Sequence, residues 1–392
     1  MSSLQETPAA QRLHIALYGR RNAGKSSLIN ALTGQEIALV SPVAGTTADP
    51  VKKAMELHPI GPVLFIDTAG YDDEGELGKL RVAATEKTLQ RADVALLVLE
   101  GAPTEEDLRW AKQLKEQKTP FLVVQTKADL QAPAPLPEEL QQKAVTVSAA
   151  TGAGIEALRT ALAAIVPENF GQMDLTGRLC APGDTVVLVM PQDIQAPKGR
   201  LILPQVQTIR HLLDKKCIPI CCTADGLEGA LSALAAPPKL IITDSQCFPL
   251  AAARKPEESL LTSFSILMAA NKGDIDAFAR GAEAIGNLTE ASRVLIAEAC
   301  THAPLEEDIG RVKIPALLRK RTGPGLTVDV VAGSDFPTDL SPYDLVIHCG
   351  GCMFNRAYVL RRLESAQRQG VPMTNYGVAI AYLTGILSQV SW

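Results

Sequence analysis

The stretch that decides the fold is LHIALYGRRNAGKSSLINAL, residues 13–32. It opens with an apolar run, Leu13–Tyr18, that predicts a buried strand, and it closes with a helical pattern over Ser27–Leu32. Between them lies GRRNAGKS, residues 19–26, which has the form G-x-x-x-x-G-K-S. A strand, this loop and a helix in that order predict a P-loop nucleotide-binding domain, because the glycines let backbone N–H groups converge on phosphate oxygens.

The side chains of this loop have separate predicted roles at a bound nucleotide. Lys25 places a positive charge at the β- and γ-phosphates, and Ser26 ligates Mg²⁺. The other residues form the cradle around the phosphates. The predicted phosphate-binding residues are Gly19, Asn22, Ala23, Gly24, Lys25, Ser26 and Ser27.

A second apolar strand pattern ends in residues that complete the phosphate site. Val63–Ile66 leads into DTAG, residues 67–70. At a strand end the Asp67 carboxylate can hold the water shell of Mg²⁺, and the Gly70 N–H can contact the γ-phosphate. Both residues are therefore predicted to take part in the chemistry at the nucleotide.

Base recognition is predicted where the apolar strand pattern Phe121–Val124 ends. The Asp129 carboxylate can accept both hydrogen bonds that the Watson–Crick edge of guanine donates, and adenine lacks that pair of donors, so the motif selects GTP. Lys127 can lay its methylene stem over the base, and a loop after Ala144–Val147 can close over it. The predicted base-binding residues are Thr126, Lys127, Asp129, Ser148 and Ala149.

Three features of this domain resemble the GTPases of the Era and tRNA-modification type. Asn22 lies inside the phosphate loop, and GTTAD at residues 45–49 is similar to the family's G-T-T-R-D switch, with Ala48 in place of the arginine. Tyr71 stands where Ras-type enzymes have a catalytic glutamine. A packing role for Tyr71 is the alternative to a functional one.

This resemblance implies a specific way of hydrolysing GTP. Thr46 and Thr47 would bind the nucleotide, with Thr47 as the second protein ligand of Mg²⁺. Relatives that lack the glutamine use K⁺ as positive charge near the transferring phosphoryl group, and the matching positions here are Asn22 and Ser41–Thr46. The resemblance thus implies slow, K⁺-stimulated hydrolysis, and Thr126 in place of the usual asparagine implies weaker guanine binding. The catalytic residues would be Lys25, Asn22, Thr47, Asp67 and Gly70.

The middle of the chain alternates strand and helix patterns between Asp184 and Thr243. This alternation predicts parallel strands with helical crossovers. We find no nucleophile next to a base in this region. Cys221 and Cys222 are neighbours in an apolar strand and so face opposite sides, which favours structural thiols over a metal site. The pattern predicts an oligomerisation module.

Two cysteine segments follow strand patterns in the last third. Cys300-Thr301-His302 follows the strand pattern Arg293–Ala297, and His348–Cys352, which we call the cysteine loop, follows another strand pattern. In parallel sheets, sites form outside the carboxyl ends of the strands, so the two segments are predicted to share one site. The thiols and imidazoles could hold zinc or a [4Fe–4S] cluster, and spacing alone does not decide. A glycine-rich turn without a metal is the alternative.

The combination of a GTPase, a middle module, Cys-x-His and His-Cys-x-x-Cys resembles the FeFe-hydrogenase maturation GTPases, the HydF family. The resemblance implies that Cys300, Cys349 and Cys352 ligate a [4Fe–4S] cluster. His302 and His348 would be fourth ligands or hydrogen-bonding residues that orient the loop. The implied function is a scaffold that carries a di-iron precursor, made with the radical SAM maturases HydE and HydG, to apo FeFe-hydrogenase. GTP would act as a conformational switch, and the protein would be a homodimer.

We therefore predict an α/β chain of three domains. Residues 1–170 form the P-loop GTPase domain, residues 171–262 a small α/β dimerisation domain, and residues 263–392 an α/β domain that binds the iron–sulfur cluster. The apolar run Leu260–Ala270 predicts a helix between the last two domains.

Composition restricts the remaining function classes. The 392 residues are 46% hydrophobic and 21% charged, as in ordinary globular proteins, and eight cysteines do not suggest a disulfide framework. We see neither a signal peptide nor a long apolar run, so we predict a cytoplasmic protein without membrane partners. The net charge of −5 argues against extensive non-specific nucleic-acid binding, with a local basic patch as the alternative, and we predict no nucleic-acid partner. It also argues against the alternative function, an RNA- or ribosome-associated GTPase with a structural zinc site.

Overall fold

A computed structural model describes residues 7–34, 51–68, 85, 88–168, 170–171, 174–192, 201–298, 308–333, 335–351 and 353–392. The chain divides into two compact units, Met1–Gln172 and Met173–Trp392. The P-loop segment belongs to the first unit, and the cysteine loop belongs to the second.

The first unit is built on a mixed sheet. Its described strands are β1 (Leu13–Tyr18), β2 (Val51–Leu57), β3 (Gly61–Asp67), β4 (Val94–Leu99), β5 (Phe121–Gln125) and β6 (Ala144–Thr146), and its described helices are α1 (Lys25–Thr33), α2 (Glu105–Glu116), α3 (Glu138–Gln141) and α4 (Ile155–Ala164). The strand order is β2-β3-β1-β4-β5-β6, and only the pair β2–β3 in this sheet of described strands is antiparallel. The carboxyl ends of the five parallel strands therefore meet at one edge of the sheet.

Apolar side chains cover both faces of this sheet. β1 and β4 are buried along their whole length, as expected for central strands that helices cover on two sides. On one face α1 buries Leu28 and Ile29. On the other face Trp110 of α2 is fully buried and stacks on Tyr18, with 5.1 Å between the ring centroids. Packing thus uses the two faces and leaves the carboxyl edge to the loops that carry the predicted nucleotide-binding residues.

The second unit contains two parallel sheets. The strands are β7 (Thr185–Val189), β8 (Ile218–Cys222), β9 (Leu240–Thr243), β10 (Leu260–Ser263), β11 (Arg293–Glu298), β12 (Thr327–Ala332), β13 (Leu345–His348) and β14 (Met373–Asn375). Their orders are β10-β9-β7-β8 and β12-β11-β13-β14. All the described pairs are parallel. The predicted fold class, a P-loop domain followed by parallel-sheet α/β structure, is confirmed.

Helices connect the parallel strands of this unit. They are α5 (Leu203–Asp214), α6 (Leu227–Ser232), α7 (Phe248–Arg254), α8 (Phe264–Lys272), α9 (Ile275–Glu283), α10 (Ile314–Thr322), α11 (Arg356–Arg368) and α12 (Tyr376–Leu383). One π-helical turn, Ile309–Lys313, directly precedes α10. In the part of the chain that the structure describes, every helix is too short or too polar to cross a membrane.

The two sheets of the second unit share one hydrophobic core. Val187 of β7 and Ile241 of β9 belong to the same buried cluster as Ile296 of β11 and Ile347 of β13. The fold therefore joins the middle region and the last third of the chain by continuous apolar packing.

One predicted helix begins later than the sequence indicates. Leu260–Ala270 reads as helical, but Leu260–Ser263 forms β10 and pairs with β9, and α8 begins at Phe264. The Ser263 hydroxyl accepts a hydrogen bond from the Ile266 N–H at 3.2 Å and so caps α8. The prediction was wrong for these four residues because a short apolar run does not distinguish a buried strand from a buried helix.

Candidate functional site

The phosphate loop lies at the carboxyl end of β1, between the strand and α1. Gly24 precedes α1 with a φ of 90°, a left-handed conformation that glycine adopts without strain. At Gly19, an added Cβ would collide with the carbonyl oxygen of Val98 on β4. The two glycines thus allow the tight path of the loop. The first turn of α1 then presents N–H groups that have no acceptor within the helix, which suits an anion.

Lys25 is buried within this loop and lies across it. Its ammonium group donates hydrogen bonds to the carbonyl oxygens of Gly19 and Arg20, each at 2.8 Å. These bonds hold the positive charge over the phosphate loop, where the β- and γ-phosphates are predicted to bind.

Ser26, a predicted ligand of Mg²⁺, is in contact with Asp67, which is predicted to hold the water shell of the ion. The Ser26 hydroxyl donates to Asp67 Oδ2 at 2.6 Å. Asp67 ends β3, beside Leu17 of β1. Burial raises the pKa of Asp67, although the hydrogen bond from Ser26 and the charge of Lys25 act in the opposite direction. A hydroxyl and a carboxylate at this distance fit a hard cation such as Mg²⁺, which also relieves the cost of burying the carboxylate charge.

Among the predicted base-recognition residues, Thr126 contacts the phosphate loop through its hydroxyl. Thr126 Oγ1 lies 2.7 Å from the carbonyl oxygen of Ala23 and 3.1 Å from that of Leu99. A hydroxyl has one proton, so it donates to one acceptor at a time. At the other side of the base site, Ser148 Oγ donates to Asp129 Oδ1 at 2.6 Å. The structure thus places Thr126 in contact with Ala23 and Asp129 in contact with Ser148, and their roles at the base stay predictions.

An ion-pair network behind these loops was not predicted. Lys127 Nζ lies 2.7 Å from Glu100 Oε1, and an Arg20 guanidinium nitrogen donates to the Glu100 carbonyl oxygen at 2.7 Å. Arg20 Nε also lies 3.4 Å from the buried carboxylate of Asp107, which forms a capping box with Thr104 at the start of α2. The T-x-x-D spacing is a capping signal that could have identified Asp107 from the sequence.

Several predicted residues lie outside the described residues. At the nucleotide site these are Thr46, Thr47 and Gly70, together with Ser41–Thr46 and Tyr71, and at the cysteine site they are Cys300, His302 and Cys352. Their roles stay predictions.

The described part of the cysteine loop, residues 348–351, begins at the carboxyl end of β13. His348 is the last residue of β13 and pairs with Ala297 of β11 on one side and Asn375 of β14 on the other. β11 ends at Glu298, two residues before Cys300 in the chain. The strands that lead into the two cysteine segments are therefore direct neighbours.

The backbone of the loop approaches the Cys349 sulfur. The Gly351 N–H donates to Cys349 Sγ at 3.4 Å, and Asn375 Nδ2 donates to the Cys349 carbonyl oxygen at 3.1 Å. Gly351 has a φ of 62°, and a Cβ there would lie 3.2 Å from Val359 Cγ2. Glycine is thus needed for this turn. N–H donation to sulfur stabilises a thiolate, which is the form that binds a metal.

His348 is completely buried, and both of its ring nitrogens have partners. Nδ1 lies 2.7 Å from the Cys349 carbonyl oxygen, an acceptor, and Nε2 lies 3.0 Å from an Arg362 guanidinium nitrogen, a donor. The Nδ1–H neutral tautomer satisfies both contacts. Burial and the charges of Arg362 and Lys272 lower the pKa of His348 to about 3. No lone pair of this ring is left for a metal, which supports the orienting role that the sequence left open beside ligation.

Two cationic side chains that belong to no sequence motif also contact this region, and these contacts were not predicted. Lys272 Nζ donates to the carbonyl oxygens of Gly351 at 2.8 Å and Phe354 at 2.7 Å. Arg362 donates to the carbonyl oxygen of Gly333 at 2.6 Å. Both side chains come from helices that are distant in sequence from Cys300.

The described residues supply part of the predicted metal site. Within the described ranges no three His, Cys, Asp or Glu side chains could hold a metal ion together, and Cys300, His302 and Cys352 fall outside those ranges. What is described fits an anionic metal group: a sulfur at a strand end accepts an N–H, and two buried cations bind the same loop.

The cysteines of the middle region have a different chemistry. Cys217 Sγ lies 3.7 Å from Cys180 Sγ, and burial together with the neighbouring thiol raises the pKa of Cys217 to about 11. Burial also raises the pKa of Cys221 and Cys222 on β8. Such thiols stay protonated at neutral pH and are poor metal ligands.

Comparison with known proteins identifies the parts of the chain separately. Residues 14–127 match the family model for the 50S ribosome-binding GTPase. Residues 175–273 match the hydrogen maturase F dimerization domain, and residues 276–391 match the hydrogen maturase F tetramerization domain. The two maturase models together cover more than half of the chain, and they follow each other in the second unit.

Similarity to the MnmE relatives is confined to the GTPase part. The tRNA modification GTPase MnmE of Bordetella petrii is 40% identical over 163 residues, which are 41% of this chain and 35% of the relative. MnmE of Nitrosomonas europaea is 37% identical over 166 residues, 41% of this chain and 36% of the relative. The chain thus spans about a third of the length of these relatives.

Two solved structures show limited similarity to this chain. The structure of a variant of Aquifex aeolicus Era bound to GDP·AlF4⁻ is 19% identical, with a TM-score of 0.36 and coverage of 63% of this chain and 99% of that one. The G domain of the Thermotoga maritima iron transporter FeoB is 25% identical, with a TM-score of 0.32 and coverage of 40% and 99%. With both maturase domains in the second unit and a GTPase domain in the first, the chain belongs to the hydrogenase maturase F (HydF) family of hydrogenase-maturation GTPases.

Proposed function

We propose that this GTPase binds a [4Fe–4S] cluster through Cys300, Cys349 and Cys352 and carries a di-iron precursor to apo FeFe-hydrogenase. The observation that carries the proposal is the position of Cys349. Its sulfur lies at the carboxyl end of β13 and accepts an N–H, beside the strand that leads to Cys300. Membership in a hydrogenase-maturation family supports a role for such a site in delivering a metal precursor to the hydrogenase.

The protein's own residues prepare the loop for the cluster. His348 orients the Cys349 carbonyl through Nδ1, and Gly351 directs an N–H at the sulfur. When bound, the cluster would supply an iron with no cysteine ligand, because the proposed set has three thiolates. That position can hold the di-iron cargo.

The nucleotide site acts in the same protein as a conformational switch. Lys25 places its charge at the β- and γ-phosphates, and Ser26 and Asp67 position Mg²⁺. K⁺ near Asn22 adds positive charge that stimulates slow hydrolysis. Thr47 and Gly70 complete the set, with Thr47 on Mg²⁺ and Gly70 at the γ-phosphate. Exchange of GTP for GDP would then time the exchange of partners.

The proposed carrier function implies specific partner proteins. The radical SAM maturases HydE and HydG supply the precursor, and apo FeFe-hydrogenase receives it. Residues 175–273 match a dimerization domain, which supports a homodimer. The cytoplasm is the proposed location, since the cysteines used here must be reduced to bind a metal.

Anaerobic reconstitution with iron and sulfide tests the proposal. Wild-type protein should turn brown, bind iron and activate apo-hydrogenase together with HydE and HydG. Cys300→Ala and Cys349→Ala should lose the cluster and the activation but keep GTP turnover. Cys221→Ala is the matched control, because it removes a cysteine of the middle region and should leave both properties unchanged. Normal activation by Cys300→Ala would refute the carrier function.

The second candidate is an RNA- or ribosome-associated GTPase with a structural zinc site. The match of residues 14–127 to a 50S ribosome-binding GTPase model supports it, and the net charge of −5 counts against it. Colourless protein that contains one zinc per chain and binds ribosomal subunits would favour this candidate over the carrier.

A further inference from the structure

Two buried cationic side chains bind the cysteine loop and its neighbours. Lys272 is 5% exposed and Arg362 is 3% exposed. Lysine and arginine are almost never fully buried unless specific contacts hold them, because removing a charge from water is costly. The contacts of these two residues converge on one place, the carboxyl edge of the sheet β12-β11-β13-β14.

Lys272 binds the loop on both sides of Cys352 in the sequence. Its ammonium group donates to the carbonyl oxygens of Gly351 and Phe354. An ammonium has three donors and can hold converging carbonyl groups in one turn. Lys272 is also the last residue of α8, within the match to the dimerization domain, whereas the loop lies within the match to the tetramerization domain. The lysine therefore links the two family domains at the cysteine loop.

Arg362 connects the ends of two strands. One nitrogen of its guanidinium contacts His348 at the end of β13, and another donates to the Gly333 carbonyl oxygen just after β12. β11, which leads to Cys300, lies between these two strands in the sheet. The guanidinium carbon also lies 4.7 Å from the ring centroid of Phe354. A planar fork packed on an aromatic ring has little freedom to move, so it holds both strand ends in place.

We propose that Lys272 and Arg362 are positioning residues that set the shape of the metal-binding loop and compensate the negative charge of its metal group. The inference rests on the proposed cluster function. It assigns to two helix residues a role in cluster binding that the cysteine and histidine motifs do not contain.

The physical basis is electrostatic. A cluster held by thiolates is anionic, and it gains one more negative charge on reduction. A buried cation nearby stabilises the reduced form more than the oxidised form, which raises the reduction potential. Groups that orient metal ligands also affect affinity, typically by about 10–100-fold when they are removed. The two residues should therefore influence both the potential of the cluster and the rate at which it is lost.

The experiment uses the full chain, reconstituted anaerobically with ferrous iron and sulfide. Lys272→Gln removes the charge, Lys272→Arg keeps it, and Lys255→Gln is the matched control. Lys255 belongs to the same unit and donates to the carbonyl oxygens of Pro256, Glu257 and Ser259, away from the cysteine loop. Reduction potentials come from redox titrations followed by electron paramagnetic resonance, and cluster loss is followed as iron release to a chelator.

Lys272→Gln should have a lower reduction potential than wild type and should release iron about 10–100-fold faster. Lys272→Arg should restore the potential, whereas a purely structural role would not depend on the charge. Lys255→Gln should match wild type. If Lys272→Gln does not fold, Arg362→Lys gives the second test: it keeps the charge but loses the fork, so it should keep the potential and release iron faster.

The outcomes separate the two proposals. Wild-type protein that takes up no iron as a cluster overturns the proposed function and this inference with it. A normal wild-type cluster, with folded Lys272→Gln that keeps both the potential and the iron-release rate, overturns this inference alone. Arg362→Lys with a wild-type rate of iron release would also overturn it.

Discussion

The nucleotide site and the cysteine loop lie at the carboxyl edges of parallel strands, but they are assembled differently. At the nucleotide site the contacts join residues of recognisable motifs, such as Ser26 with Asp67 and Thr126 with Ala23. At the cysteine loop, described contacts also come from Lys272, Arg362 and Asn375, which belong to no motif. The phosphate loop is thus held by contacts among motif residues, whereas the cysteine loop is also held by side chains from distant parts of the chain.

The largest expected effect tests whether the two sites are separable. Lys25→Ala removes the charge at the β- and γ-phosphates and should lower GTP turnover by roughly 10²–10³-fold or more. Uptake of iron on reconstitution should stay unchanged, because the cysteine loop belongs to the other unit. Lys112→Ala, at an exposed lysine of α2, is the control. Unchanged turnover in Lys25→Ala would refute the site assignment, and parallel loss of iron uptake would refute the separation.

The next effect concerns the packing of His348. His348→Ala removes a buried ring that is the partner of both the Arg362 guanidinium and the Cys349 carbonyl oxygen. The change should lower the free energy of unfolding of metal-free protein by about 3 kcal/mol, because these two polar groups then stay buried without this partner. Urea unfolding of the second unit measures the change. Glu364→Ala, at an exposed position of the same unit, should change it by less than about 0.5 kcal/mol. If His348 served only as a metal ligand, metal-free protein would lose no stability.

A smaller effect is the opposite pH dependence of the two sites in metal-free protein. The pKa of His348 is lowered to about 3, so its contribution to stability is present above pH 6.5 and is lost as the pH falls towards 3, with a slope of at most about 1.4 kcal/mol per pH unit. The pKa of Asp67 is raised, so its contribution is lost as the pH rises above the usual carboxyl range.

Unfolding of each unit, followed across this pH range, measures both slopes. His348→Gln should flatten the acid slope of the second unit, and Asp67→Asn should flatten the slope of the first unit. Slopes of the same sign in the two units would contradict the opposite pH dependence that burial of His348 and Asp67 predicts.

The smallest effect is expected at Thr126. Thr126→Val keeps the shape but removes the hydroxyl that donates to Ala23, and it should weaken GTP binding by about 5–10-fold, which corresponds to one hydrogen bond. Thr126→Ser keeps the hydroxyl and serves as control. Titration with a fluorescent GTP analogue measures both. Equal affinity of the valine variant and wild type would show that the link between the base motif and the phosphate loop contributes nothing.

Local signals predict much of the fold and of the nucleotide site. The P-loop pattern correctly placed the strand Leu13–Tyr18 and the turn into α1, because glycine spacing and apolar periodicity are properties of neighbouring residues. Leu260–Ser263 was predicted as helix because the short apolar run contains no information about β9, the strand with which it pairs.

The sequence was less informative about what surrounds each site. Glu100 and Arg20 are charged residues of a type that is common on protein surfaces. Their contact depends on the fold, so the sequence did not predict it. Lys272 lies 79 residues from its partner Gly351, and Arg362 lies 14 residues from its partner His348. No local sequence pattern therefore predicts these contacts. Their role depends on which helix ends meet a strand edge, which is a property of the tertiary structure alone.

The cap at Ser263 has a mechanical consequence. α8 runs from this cap, directly after the edge strand β10, to Lys272 at the cysteine loop. A helix is stiff over nine residues, so a displacement of the β10 edge would carry the Lys272 ammonium group with it. A shift of β10 and a shift of the Lys272 charge at the cysteine loop are therefore coupled through one rigid helix.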